Sequence, residues 1–392
     1  MKVHVEAAYS SLNKKNEELC GDKVKVAYNE DSCTIVLADG LGSGVKANIL
    51  ATLTSEILST MIAEGTSIDE AVETISATLP ECKERGIAYS TFIVLQVFFD
   101  GRTYLAEFDN PEVVLMRNGK NINIERNIII KSGKTIREAH FIVQPDDYIV
   151  MFSDGIVHAG IGQILNFGWD QKEIVQHITT LYRKDDTARK TVKNLLYAVN
   201  DLYQGMPGDD STVACAHILF PKYASLMVGP PSNKEDDEIV VNKLVKATGA
   251  KIVCGGTTSQ IVARVLNKEL KMEQLISLDS EVPPIAYIEG IDLVCEGALT
   301  LAKVSRYLEA CLETKVYYEQ FLDAKYEDGA FQLAHMLLAD CSAINFLIGT
   351  ASNPAHNAIA YSPISLSEKL KVVENIATIL RKLGKIVKIE KY

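Results

Sequence analysis

From Thr34 to Ala38 the chain is apolar and then stops at Asp39 and Gly40, a pattern that predicts a buried strand running into an acidic turn. The Gly-Leu-Gly-Ser-Gly stretch that follows opens a helical segment. In it Val45, Ile49, Leu53, Ile57 and Met61 recur every four residues, which predicts one buried face. Ser90 to Phe99 and Arg102 to Phe108 are β-rich and joined at Asp100-Gly101, a pair suited to a type I′ hairpin turn. Asn118-Gly119 is a second such pair, between Val113 to Arg117 and Asn121 to Glu125. Glu138 to Val143, Pro145-Asp146-Asp147 and Tyr148 to Phe152 read as strand, turn and strand, leading into Ser153-Asp154-Gly155. Amphipathic helices are expected at about Gln171 to Tyr182 and Ala188 to Tyr203, before Thr212 to Phe220 returns to strand character. Antiparallel strands with helices grouped between them predict an α+β sandwich flanked by helices.

After Pro221 the texture changes. Gly229-Pro230-Pro231-Ser232-Asn233 and the charged Lys234 to Glu238 read as a linker. Beyond them, strand-like Lys251 to Cys254, Leu293 to Cys295 and Asn345 to Ile348 alternate with helix-like Gln260 to Asn267, Leu299 to Leu312 and Leu366 to Leu383. That alternation predicts a second, α/β domain, giving domains at residues 1–222 and 223–392. Leu299, Ala302, Val304 and Leu308 are expected to form a core-facing stripe.

The chain has 392 residues and a net charge of -11, which disfavours binding to a nucleic-acid backbone. No apolar run reaches the roughly 18 residues of a membrane span. Met1 to Ser11 lacks the pattern of a secretory signal, so a cytoplasmic protein is expected. Its eight cysteines (Cys20, Cys33, Cys82, Cys215, Cys254, Cys295, Cys311 and Cys341) are dispersed, never form Cys-x-x-Cys, and read as reduced core thiols.

Candidate chemistry concentrates in four acidic segments: Cys-Gly-Asp ending at Asp22, Asp-Gly-Leu-Gly-Ser-Gly from Asp39, Ser-Asp-Gly at Ser153, and Gly-Asp-Asp-Ser-Thr at Gly208. Asp22 precedes a strand, Asp39 and Asp154 end strands, and Asp209 begins one, so the four aspartates can meet at one end of a sheet. Such carboxylates repel one another unless cations sit between them. Hard oxygen ligands favour magnesium or manganese. Two divalent cations about 4 Å apart would acidify a bridging water and polarise a phosphate. Glycines after Asp39 and Asp154 allow close backbone approach, and the Gly40 carbonyl is a further candidate ligand. His140 and His158 lie near this region and are read as bystanders. Ser43 is read as a helix cap.

Through these segments, and Tyr-Ser-Thr-Phe from Tyr89, residues 1 to about 220 resemble the PPM-type metal-dependent Ser/Thr protein phosphatases. Within them the likeness is to the bacterial branch typified by the stage II sporulation protein E phosphatase. The resemblance implies that Asp22, Asp39, Asp154 and Asp209 bind two Mn2+ or Mg2+ ions and carry catalysis, with Gly40 as the backbone ligand and Asp210 beside the last one. It implies hydrolysis of phosphoserine or phosphothreonine in a partner protein, in this branch often an anti-sigma-factor antagonist, with activity often gated by an attached domain. A homodimer is compatible with it. The arginine and histidine that eukaryotic relatives supply have no counterpart here, and Lys14 and Lys15 read as solvated surface.

Two other readings fit the same residues. One is a catalytically silent phosphatase fold that binds a partner; the other is a sensor whose C-terminal domain binds a nucleotide or metabolite. For the latter the chain offers Cys254-Gly255-Gly256-Thr257-Thr258-Ser259 and Gly349-Thr350-Ala351-Ser352-Asn353, both at strand ends. The first reads as a tight turn with a threonine cap, since it lacks the lysine of a phosphate-binding Walker loop.

Overall fold

The computed structural model describes residues 2–78, 90–131, 134–272, 285–325, 328–351 and 366–392. Cys82, Tyr89, Ser352 and Asn353, all named above, lie outside them. The chain divides into two compact units, residues 1–220 and 221–392.

In the first unit the strands are β1 (His4–Leu12), β2 (Asp22–Tyr28), β3 (Ser32–Gly40), β4 (Ser90–Phe98), β5 (Arg102–Phe108), β6 (Val114–Arg117), β7 (Lys120–Ile122), β8 (Asn127–Lys131), β9 (Lys134–Ile142), β10 (Tyr148–Phe152) and β11 (Ser211–Leu219). Its helices are α1 (Gly44–Ala63), α2 (Ile68–Thr78), a single turn α3 (Asp154–Val157), α4 (Gln171–Leu181) and α5 (Ala188–Leu202). Two antiparallel sheets form, one in the order β1-β11-β10-β6-β7 and the other β2-β3-β4-β5-β9-β8. Ile35, Leu37, Ile93, Leu95, Leu105, Ile149, Met151 and Ala216 fill the space between them. The outer face of the first sheet carries α4 and α5, with Phe152, Trp169, Ile174, Val192 and Leu195 in the seam. That of the second carries α1 and α2, with Leu58, Ile62, Val72, Ile75 and Phe92. This is the α+β architecture expected: a sandwich with helices outside both sheets.

Two local readings need correction. The α1 face that packs on the sheet is Ala47, Leu50, Ala51, Thr54, Leu58 and Ile62, whereas Val45 and Ile49 are 62% and 52% exposed and Leu53 is also exposed. Residues four apart advance 400° around a helix with 3.6 residues per turn, so each step drifts about 40° and the stripe winds off the core. The small residues Ala47, Thr54, Ser55 and Ser59 conceal the true face. The Asp100-Gly101 turn is not type I′, because only Gly101 has positive φ (+96°) and its amide closes on the Phe98 carbonyl at 2.8 Å. Asn118 and Gly119 both have positive φ, as a type I′ turn requires. Pro145-Asp146-Asp147 joins β9 to β10 as read, and because those strands lie in different sheets it carries the chain across the sandwich.

The second unit holds β12 (Tyr223–Val228), α6 (Asp237–Lys246), β13 (Ala250–Cys254), α7 (Gly256–Leu266), the short β14 (Lys271–Met272) and β15 (Ala286–Tyr287), and β16 (Leu293–Cys295). After these come α8 (Ala298–Glu313), α9 (Lys315–Asp323), α10 (Gly329–His335), β17 (Ala343–Ile348), a final helix Leu366–Lys382 and β18 (Ile386–Lys391). The sheet order is β14-β15-β16-β13-β12-β17-β18, parallel from β16 through β18. Helices cover both faces: α8, α10 and the final helix on one, α6 and α7 on the other. The Gly-Pro-Pro segment read as a linker is the loop leaving β12, a central strand, and Asp237 already lies in α6. In the α8 stripe Val304 and Leu308 are buried, but Leu299 is 46% exposed.

Candidate metal centre

Asp22 opens β2 and Asp39 nearly closes β3, and the antiparallel register sets them directly opposite each other. Asp154 begins α3 just after β10, and Asp209 sits two residues before β11. All four therefore lie at one end of the sandwich. Ser153 links the sheets there: its hydroxyl donates to Asp22 Oδ2 at 2.7 Å and accepts the Thr212 amide at 2.9 Å.

The carboxyl groups share one field. Burial first, then repulsion from Asp22, Asp154 and Asp209, pushes Asp39 up to about 9. Burial is also the leading cause at Asp22, raised to about 6, and at Asp154, which is raised with Asp209 as its next cause. Asp22 is 3% exposed, and its Oδ1 is buried with no hydrogen-bond partner. A buried, unsatisfied carboxylate oxygen among repelling carboxylates is the environment that a hard divalent cation relieves, so these residues fit a magnesium or manganese ion.

His158, set aside on sequence, joins the cluster. Asp154, His158 and Asp209 each offer a ligand atom, all within 4.8 Å of one another, and His158 Nδ1 is 3.9 Å from Asp154 Oδ2. The signal was its spacing, because residues four apart share a helix face. His140 stays apart on β9, against the Tyr104 ring.

Lys14 is not free surface. Its Nζ lies 3.5 Å from Asp209 Oδ1, while Asp210 accepts the backbone amides of Lys14 and Gly21, each at 2.9 Å. Asp210 thus fastens the 13–21 loop beside the cluster. Ser43 occupies the α1 cap position without making a side-chain cap bond; its hydroxyl donates instead to Glu17 Oε1 at 3.0 Å. Cys20 is no nucleophile in waiting, since burial and the charges of Asp22 and Asp210 push its thiol up to about 12.

Both glycines of the Asp-Gly pairs are demanded by neighbouring backbone. A Cβ on Gly40 would stand 2.0 Å from the Ala47 carbonyl oxygen, and one on Gly155 2.0 Å from that of Asp210.

A helix-flanked antiparallel sandwich with converging aspartates at one end defines the class. Residues 29–219, just under half of the chain, match the family model of stage II sporulation protein E (SpoIIE). Asp22 precedes the matched span. Among solved structures, the chain is similar to the PP2C phosphatase domain with a fragment of the regulatory domain of the cell fate determinant SpoIIE from Bacillus subtilis. That likeness has 18% identity and a TM-score of 0.48, and covers 56% of this chain and 63% of that one. It is also similar to the RsbU and RsbW domains of a Mycobacterium tuberculosis protein (16% identity, TM-score 0.44, 62% of this chain and 68% of that one). A third is RsbX in complex with magnesium (16% identity, TM-score 0.40, 55% and 96%). The chain thus spans less than two thirds of the first of these structures. No curated protein matches it.

Proposed function

We propose that residues 1–222 are a metal-dependent Ser/Thr phosphoprotein phosphatase of bacterial signalling and that residues 223–392 are its regulatory or partner-binding domain. The observation that carries this reading is the shared field of Asp22, Asp39, Asp154 and Asp209, drawn from both sheets, with Asp22 Oδ1 buried and orphaned. Those four carboxylates and the Gly40 carbonyl would hold two Mn2+ or Mg2+ ions. Bound there, the ions supply a water acidified for attack and neutralise charge on the phosphate.

The chain's own groups do the rest. Ser153 and Asp210 hold the two carboxylate-bearing edges in register through the bonds described above. Lys14, beside Asp209, is placed to receive a phosphate oxygen as a point charge. His158 stands at the rim, where an imidazole can give a proton to a departing serine or threonine oxygen. The substrate is a phosphorylated protein, with a small anti-sigma-factor antagonist as the first to try. The domain would work as a monomer or a homodimer.

The test is release of phosphate from phosphoserine and phosphothreonine peptides by the full chain, with and without manganese, alongside manganese titration calorimetry. Manganese-dependent turnover that Asp39→Asn abolishes, together with loss of manganese binding, is expected. A protein that binds manganese but turns over no phosphopeptide would be a silent binding module instead.

A further inference from the structure

In the second unit the chain leaves β12 to build β13 and β16 on one side, then returns to build β17 and β18 on the other. Sheets of this kind bind ligands outside the carboxyl ends of their strands, near such a reversal. At that edge the groups are unusual for what they lack.

α7 and α8 start there on Gly255 and Gly297, and neither start has a side-chain cap, so each first turn presents amides without an intrahelical partner. The two starts adjoin: a Cβ on Gly297 would lie 3.3 Å from the Gly255 Cα. No threonine caps α7, contrary to expectation, and Gly255 enters it with φ +121°. Gly256 is different. It has no left-handed φ, and a Cβ there would meet nothing within 4 Å among the described residues, so none of them demands glycine there. Close approach by something outside the chain would.

Three polar groups at this edge have no hydrogen-bond partner among the described residues. Lys369 reaches from the final helix until its Nζ lies 1.9 Å from where a Gly229 Cβ would be, and no ion pair or hydrogen bond holds it among the described residues. Burial holds its ammonium below the usual lysine range, with the Cys254 sulfur the opposing influence. Cys254 Sγ donates to the Glu296 carbonyl at 2.8 Å, which ties this corner to the start of α8. Glu296 Oε2 is buried and unpartnered. So is the hydroxyl of Thr300, a fully buried residue in the first turn of α8. A desolvated cation and uncapped amides call for an anion, and an orphaned carboxylate oxygen calls for a donor.

We infer that this edge binds a small organic phosphate, with the phosphate on the amides of α7 and α8 and on Lys369, and a hydroxyl of the same molecule donated to Glu296. The inference is independent of the phosphatase reading. Ribose 5-phosphate and adenosine 5′-monophosphate are the probes, titrated calorimetrically into the full chain in EDTA, so that the acidic cluster cannot recruit phosphate through a cation. Ribose and adenosine serve as phosphate-free arms. Submillimolar binding of either phosphate is expected, weakened about tenfold or more by Lys369→Met and by Gly256→Val, and absent for the phosphate-free arms. Gly256→Val adds its side chain into open space, so it tests the site even if Lys369→Met disturbs the fold. The inference fails if neither phosphate binds, if both variants bind as the wild type does, or if ribose or adenosine binds as well as its phosphate.

Discussion

Replacing Asp39 with asparagine removes one carboxyl from the field it shares with Asp22, Asp154 and Asp209, and the sign of its effect on stability should depend on metal. Without metal, the folded protein keeps this carboxyl protonated up to about 9, through burial and then its neighbours' charges. The same group ionises near about 3.9 in the unfolded chain. Between those values the folded state holds a proton that the unfolded state has lost. Stability therefore falls as pH rises, by about 1.4 kcal/mol per pH unit for this group. From pH 6 to pH 8 that amounts to about 2.7 kcal/mol. Asp22, raised only to about 6, steepens the fall below that pH and adds little above it. In EDTA, Asp39→Asn should flatten the pH dependence and be the more stable protein at pH 8. A bound cation reverses the balance, because it contributes about 2.7 kcal/mol at a hundred times its Kd and the variant forfeits most of this. Trp169, the single tryptophan, is buried in the first unit, so urea unfolding followed by its fluorescence reads that unit alone. Equal destabilisation by Asp39→Asn in EDTA and in manganese would refute the reasoning, since Asp39 would then have a structural role that needs no metal.

Three further outcomes are expected. Asp210→Ala strands the buried Gly21 amide and frees that of Lys14, which should cost about 1–3 kcal/mol by urea unfolding and weaken manganese binding by loosening the 13–21 loop. Gly155→Ala drives a methyl into the Asp210 carbonyl and should cost about 1–3 kcal/mol or more, with phosphopeptide turnover lost; a variant as stable and active as the wild type would show that α3 shifts freely. Replacing Val45, Ile49 and Leu53 with glutamine, singly, should change stability by no more than about 0.5 kcal/mol each, because those side chains face outward; a thermal midpoint lowered as for a core residue would contradict the α1 packing.

Much of the fold was legible where a local cause dominates. Asn118-Gly119 supplies two positive φ values and closes the β6–β7 hairpin as read, and the α4 and α5 limits fall within a residue of expectation. The pattern gave less where two elements had to choose each other. β12 went unread because Tyr223–Val228 is short and flanked by Pro221 and the Gly-Pro-Pro loop, a composition that marks a linker when no neighbouring strands are in view. β9 and β10 were legible as strand, turn and strand, but that pattern carries no record of which sheet each strand joins.

The candidate site divides in the same way. Asp39 and Asp154 stand out in sequence because each ends an apolar run and precedes a glycine, and hydrophobic burial of the run is enough to put the carboxylate at a sheet end. Which carboxylates meet was decided by the register of β2 on β3 and by Ser153 clasping Asp22 from the other sheet. The same long-range closure brought Lys14 to Asp209 and turned Asp210 into a fastener for a loop nearly two hundred positions away. Periodicity and turn chemistry act over a few residues and can be read from the chain. Charge repulsion, desolvation and backbone contact act through space, and only the packed sandwich sets those distances.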